Sequence, residues 1–261
     1  GASSASVRYA RSVPYRTRPL MELAASSIVG ESRTVNEDAW GADVNVGIAV
    51  VADGCGGTAS GSWASKLAVA NVLEHGRGAA GGRDSLALAI ERVNAEIFAQ
   101  AASERQKRGS ATTIAALRVE ETTIAIAWVG DCRVYEYSTG HPDVTARRDA
   151  HGGLFERRTT DHTLANDPNY AALEESDGGI LLRVVGVSSS VSIDLHYQPR
   201  RADSLYLIAS DGLTTQLSDA DIHRIVADQT LSLQARCDAL AAAADRVHGA
   251  DNVTVMLVRP I

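Results

Sequence analysis

An α+β domain, with helices laid over antiparallel sheets, is the fold class this chain predicts, and three observations predict it. The middle of the chain, Ser110 to Ser138, is a succession of β-prone runs separated by short turns. Helical periodicity comes in two pairs, one before that region and one late in the chain. Both early helices are amphipathic, so each needs a sheet to cover. Strands grouped together with helices at either end suit α+β packing better than alternating βαβ units.

Taken in order, Glu22–Val29 (ELAASSIV) reads as the first strand. The VNED turn follows, and then a strand closing on Asp53 (GIAVVAD). Cys55–Gly61 is a glycine-rich turn. From about Ser62 to His75, Trp63, Leu67, Ala70 and Leu73 recur near helical spacing. Gly76–Arg83 is a glycine-rich loop, and Asp84 is placed to cap the next helix, whose stripe is Leu86, Ile90, Val93, Ile97 and Ala101. Ser110–Val119 and Thr122–Val129, joined at Glu120-Glu121, read as a hairpin. Arg133–Ser138 alternates as a strand does, and His151–Gly153 reads as a turn. Asp167-Pro168 and Asp177–Gly179 punctuate a stretch without a periodic signal. Ile193–Tyr197 and Leu205–Ile208 are further strands. Ser218 with Asp221 resembles a capping box, Ser232 opens the last helix, and Asn252–Val258 is the last strand. There is no internal repeat and no linker, so residues 22–261 are expected to form a single domain behind a flexible tail at 1–21.

The chain has 261 residues, 45% of them hydrophobic, enough for a sizeable core. The net charge of −7 and the lack of a dense basic block argue against a nucleic-acid partner. Its apolar runs fall short of a membrane span, and the first residues lack the apolar centre of a signal peptide. Cys55, Cys132 and Cys237 are odd in number and widely spaced, which speaks against a disulfide framework or zinc knuckle and for a reducing, cytoplasmic setting. The seven histidines form no HxH or HExxH pattern.

Acids at the ends of apolar runs carry the chemistry. Asp53 ends GIAVVAD, Asp131 ends TTIAIAWVGD, and Asp211 ends SLYLIASD; Glu37-Asp38 sits in VNED, and Asp251 precedes VTVMLV. Strands that stop on carboxylates bring them to the rim of a core, where unpaired charge is costly. A hard divalent cation with oxygen ligands offsets that cost. Taken singly, each acid has a plainer reading. Asp211 could cap the helix after it, Asp131 could pair with Arg133, and Arg33 could pair with Glu31 or Glu37.

Seven segments in order resemble the metal-dependent serine/threonine protein phosphatases, the protein phosphatase 2C type. They are Arg33–Asp38 (RTVNED), Val51–Gly57 (VADGCGG), Gly109–Leu117 (GSATTIAAL), Trp128–Tyr135 (WVGDCRVY), Thr159–Leu164 (TTDHTL), Ile208–Leu213 (IASDGL) and Ala250–Val255 (ADNVTV). The Asp-Gly-x-Gly-Gly form at Asp53–Gly57 resembles the bacterial branch. The resemblance spans about Glu22 to Val258. It implies a four-layer αββα sandwich, two central antiparallel sheets flanked by helix pairs.

It also implies hydrolysis of phosphoserine and phosphothreonine by a water or hydroxide bridged between two tightly held Mn²⁺ or Mg²⁺ ions, with room for a third. Asp53 would bridge the two ions, and the Gly54 carbonyl would be a further ligand. Glu37 would serve one ion, and Asp211 and Asp251 the other. Asp131 would serve the third. Asp38 would hold waters or orient its neighbours, and Arg33 would clamp the substrate phosphate, which a planar guanidinium does well. The implied partners are phosphorylated proteins, a Ser/Thr kinase and its substrates, with neither nucleic acid nor membrane. Ala165–Gly179 corresponds to the family's variable flap.

One position departs from many relatives: Cys55 stands where a histidine, the proposed proton donor, follows the Asp-Gly. His162, near Asp161, reads as a structural hydrogen-bonding residue, and Thr112 and Thr113 as strand residues beside the site. Two rival functions are a stage II sporulation-type phosphatase acting on an anti-sigma antagonist and a pseudophosphatase that binds phosphoproteins. The RxxxED and TDH segments and the full set of acids favour the first reading over both.

Overall fold

The structure, a computed structural model, describes residues 19–56, 58–78, 84–140, 153–170, 179–248 and 251–261, and among these ten strands form two antiparallel sheets. One sheet runs β1 (Met21–Ile28), β10 (Val253–Pro260), β9 (Ser204–Ala209), β6 (Arg133–Ser138), β7 (Leu154–Arg157). The other runs β2 (Ala39–Asp43), β3 (Ile48–Cys55), β4 (Ala111–Val119), β5 (Thr123–Val129), β8 (Asp194–Pro199). Helices α1 (Thr58–Gly78) and α2 (Ser85–Ser103) cover the second sheet. The short α3 (Asp211–Thr214), α4 (Asp219–Val226) and α5 (Leu233–His248) cover the first. This is the four-layer αββα arrangement the sequence implied.

The inner strands β3, β4, β5, β9 and β10 read as nearly unbroken apolar runs because they are buried on both faces. Along β3, Ile48, Val50 and Ala52 enter the core beneath α1 and α2, while Ala49 and Val51 enter the core between the sheets. Along β10, Val253, Val255 and Leu257 face the helices, and Met256 and Val258 face the other sheet. This period of two places alternate residues in separate cores.

Several elements differ from the sequence reading. β2 was not anticipated; it is a short edge strand with Trp40 exposed, so it lacks a clean apolar run. β3 does not stop at Asp53 but pairs onward, Asp53 with Thr113, Gly54 with Thr112 and Cys55 with Ala111. α1 begins at Thr58, a turn before Ser62. Asp84 occupies the N-cap position of α2, yet its side chain caps nothing and instead accepts a hydrogen bond from the Tyr197 hydroxyl at 3.0 Å. At α4, Ser218 Oγ accepts from the Asp221 N–H at 3.2 Å, and the Asp221 carboxylate takes the Ser218 hydroxyl in place of a backbone N–H. Ser232 caps α5 through the Ala235 N–H. The expected tail up to residue 18, residues 79–83 of the glycine-rich loop, His151 and Gly152 of the expected turn, and residues 171–178 of the flap lie outside the described residues. No described helix is long and apolar enough to cross a membrane.

Candidate metal centre

A cleft of ≈ 250 Å³ opens where one end of each sheet meets the other, lined by Arg33, Glu37, Asp53, Gly54, Cys55, Asp131, Leu181, Asp211, Asp251 and Asn252. Segments far apart in the chain supply these groups. Asp53 comes from within β3, and Asp131 follows Gly130 after β5. Asp211 opens α3, Glu37 lies between β1 and β2, and Asp251 precedes β10. Ser210, not Asp211, holds the N-cap of α3.

Backbone hydrogen bonds set the Glu37 loop. Its N–H donates to Asn252 Oδ1 at 2.8 Å, while its carbonyl accepts from the Gly54 N–H at 3.2 Å and from the Ser65 hydroxyl. Gly54 has no room for a side chain: a Cβ there would stand 2.3 Å from the Gly61 carbonyl oxygen. Asp38 does not line the cleft. It is 5% exposed and sits behind, its Oδ2 accepting from Ser210 Oγ at 2.8 Å. Asn36 Oδ1 receives the Asp38 N–H at 3.0 Å, and Asn36 Nδ2 donates to Ser27 Oγ.

The electrostatics are those of crowded acids. Burial raises the Asp53 carboxyl well above its ordinary value, and Asp38, Asp211 and Asp131 push it further. Burial lifts Asp38 to about 6 against hydrogen bonds from Thr254 and Ser210. Burial, and then Asp211, lift Asp131 to about 7, and Asp211 is itself raised chiefly by burial. The guanidinium of Arg33 bridges two of the acids, with Nη2 2.9 Å from Asp251 Oδ2 and Nη1 3.4 Å from Glu37 Oε2. Of the alternatives open at the sequence, pairing with Glu37 is therefore present here, and Asp251 is an additional partner. Asp131 does not pair with Arg133, whose guanidinium holds both oxygens of Asp161.

Among the described residues, Glu37 Oε1 and Asp211 Oδ1 are buried without any hydrogen-bond partner. Among the described residues no three acids, thiols or imidazoles already converge as a closed ligand group. These acids line an open cleft, as mutually repelling carboxylates would. The donor set is all oxygen, carboxylates plus the Gly54 carbonyl, and with two orphaned oxygens it fits hard divalent ions such as Mg²⁺ or Mn²⁺.

The neighbours divide clearly. Burial first, and then Asp53, Asp131 and Asp211, push the Cys55 thiol up, so it stays neutral. Thr112 and Thr113 are buried in β4, Thr112 Oγ1 donating to the Asp53 carbonyl and Thr113 Oγ1 lying 3.2 Å from Cys132 Sγ. His162 is buried; its Nδ1 accepts from the Gly130 N–H at 3.0 Å, and its Nε2 lies 3.3 Å from Asp194 without a hydrogen bond, so its structural bond is to the Gly130 backbone. Ser210, Ser65 and Asn36, which help hold the acids in place, were not singled out from sequence. Asn252 carried a signal there, its place beside Asp251.

Comparison with known proteins accords with this geometry. The sequence model of the family described as Protein phosphatase 2C matches residues 30–245. The serine/threonine phosphatase stp of Listeria innocua is 30% identical over 251 residues, covering 88% of this chain and 92% of that protein. The crystal structure of the Mycobacterium tuberculosis serine/threonine phosphatase PstP/Ppp superposes with a TM-score of 0.78 at 26% identity, over 92% of this chain and 98% of that one. A structure of the PstP catalytic domain in complex with two manganese ions superposes with a TM-score of 0.77 at 27% identity, over the same shares. The chain belongs to the protein phosphatase 2C family.

Proposed function

We propose that this chain is a metal-dependent protein-serine/threonine phosphatase and that its reaction takes place in the acidic cleft. The observation that carries the assignment of the site is the pair of buried, unpartnered oxygens, Glu37 Oε1 and Asp211 Oδ1, in residues that line one cleft with Asp53, Asp131 and Asp251. Asp53 is assigned as the shared ligand of two ions. The Gly54 carbonyl would be a further ligand, Glu37 would serve one ion, Asp211 and Asp251 the other, and Asp131 a third and weaker one. When bound, a divalent pair neutralises the phosphate and lowers the pKa of water toward neutrality.

The protein's own groups do the rest. Arg33 is assigned as the phosphate clamp: its side chain is 41% exposed, and its planar guanidinium, now on Asp251 and Glu37, has the fork geometry to hold phosphate oxygens. Asp38, fixed from behind by Ser210, orients Asp53 and nearby water. Leu181 contributes an apolar side chain to the lining of the cleft. Cys55 is assigned a packing role beside the site, and water is assigned as the proton donor to the leaving alkoxide.

The reading extends to phosphorylated proteins as substrates, a Ser/Thr kinase and its targets among them. It includes a cytoplasmic setting, residues 22–261 as one catalytic domain, and either Mn²⁺ or Mg²⁺ as the tight pair. The test is turnover of p-nitrophenyl phosphate and of phosphothreonine peptides with Mn²⁺, with Mg²⁺ and with EDTA. Turnover is expected only with metal, and activity undiminished by chelation would overturn the assignment. Phosphopeptide binding with no turnover at all would point to a pseudophosphatase.

A further inference from the structure

We propose that a groove beside the acidic cleft, between the outer face of α2 and the loop at Gly186-Val187, is a docking subsite for an apolar side chain of the phosphoprotein substrate, flanking its phosphorylated Ser or Thr. The proposal rests on the phosphatase reading above.

Helix α2 buries Leu86, Ile90, Val93 and Ile97 against the sheet, as its periodicity requires. Its last turns nevertheless carry Phe98, Ala101 and Ala102, at i, i+3 and i+4, on a face turned to solvent. Phe98 is 36% exposed, and Val187 in the facing loop is 57% exposed. Together they wall a groove of ≈ 250 Å³ that Arg108 rims and Ser110 floors. Isolated exposed apolar residues mean little, but a concave apolar set with a polar floor is the form of a side-chain pocket.

Ser110 supplies an independent observation. The residue is 1% exposed and belongs to the groove lining, and among the described residues its Oγ has no hydrogen-bond partner. A buried hydroxyl left unpaired costs stability, which a partner arriving from outside restores. A peptide N–H or carbonyl lying in the groove is such a partner.

Continuity with the acidic cleft selects the occupant. Gly56 lines the cleft and Gly109 lines the groove. A Cβ on Gly56 would stand 2.3 Å from the Gly109 carbonyl oxygen, so among the described residues the two depressions adjoin through the backbone of these glycines. An extended peptide that seats its phosphate among the acids crosses this low wall and lays a neighbouring side chain against Phe98 and Val187. On a chain of net charge −7, the Arg108 guanidinium at the rim suits an anionic peptide.

The test uses the full chain with Mn²⁺, p-nitrophenyl phosphate, and phosphothreonine peptides in which a single leucine is moved through the flanking positions of a Gly/Ser background. The wild type is expected to show a KM about tenfold lower for leucine at one position, the worth of a partly buried aliphatic side chain. Val187→Asp and Phe98→Asp each erase that preference while p-nitrophenyl phosphate turnover is unchanged. Ser110→Ala raises the KM of the preferred peptide without lowering the melting temperature, which a purely structural hydroxyl would not do. Equal KM values for all peptides, or a leucine preference intact in both aspartate variants, would overturn the subsite. Failure of the wild type to hydrolyse p-nitrophenyl phosphate would overturn the phosphatase reading itself, and the subsite with it.

Discussion

The side-chain oxygen of Asn252 accepts the backbone N–H of Glu37 at 2.8 Å, joining positions 215 residues apart. The bond ties the loop before β2 to the turn before β10, so two acids of the cleft share one frame. Asn252→Ala leaves the Glu37 N–H buried and unpaired, a cost of ~1–3 kcal/mol. Thermal denaturation should show that loss, and calorimetric titration should show weaker Mn²⁺ binding. Wild-type metal affinity in the folded variant would refute the coupling.

Arg33 spans Asp251 and Glu37 in the structure, and the proposed reaction asks it to release both for phosphate. Arg33→Ala should lower kcat/KM for phosphopeptides by about tenfold or more. Arg33→Lys should recover only part, because an ammonium lacks the planar fork. An alanine variant with undiminished kcat/KM would leave Arg33 a purely structural cation.

Asp53 and Asp131 should separate in a metal titration. Asp53→Asn is expected to lower turnover by about 100-fold or more while circular dichroism still reports the native fold. Asp131→Ala should keep the tight pair and lower turnover by about tenfold. Loss of the tight pair in Asp131→Ala would mean that the roles have been assigned to the wrong acids.

Glu136 makes a pH prediction away from the cleft. It is 2% exposed on β6, where Arg158 Nη2 at 2.6 Å, Gln198 Nε2 at 2.8 Å and the Ser204 hydroxyl all point at its carboxylate. Burial pushes its pKa up, but Ser204, Gln198 and Arg158 outweigh burial and hold it below the ordinary 4.5. A carboxylate with a lowered folded pKa stabilises fully above the unfolded value, and that contribution is lost as pH falls through the folded one. Glu136→Ala should cost ~3 kcal/mol at neutral pH. In urea titrations the gap to wild type should shrink below pH 4.5; a gap constant with pH would exclude the charged network as its source.

Most strands were readable because burial on both faces makes them continuous apolar runs, as in β4 and β10. β2 was not, since an edge strand with an exposed Trp40 need not be apolar throughout. Asp84 shows the limit of local rules. Its place before α2 followed from cap chemistry, but its carboxylate serves Tyr197, a residue 113 positions away. Ser210 was unreadable for the same reason: nothing in IASDGL says that its hydroxyl will hold Asp38 from 172 positions away.

By itself the sequence determined the α+β class, the family resemblance that implies the four layers, and the identity of the acids, because strand periodicity and motif order are local properties of the chain. Tertiary structure decided how those acids stand to one another. It set Asp38 behind the cleft and the others along it, gave Asp161 and not Asp131 to Arg133, and laid Arg33 across Glu37 and Asp251. Charges act through space, so their pairing and their pKa values depend on distances and burial that exist only once both sheets have closed.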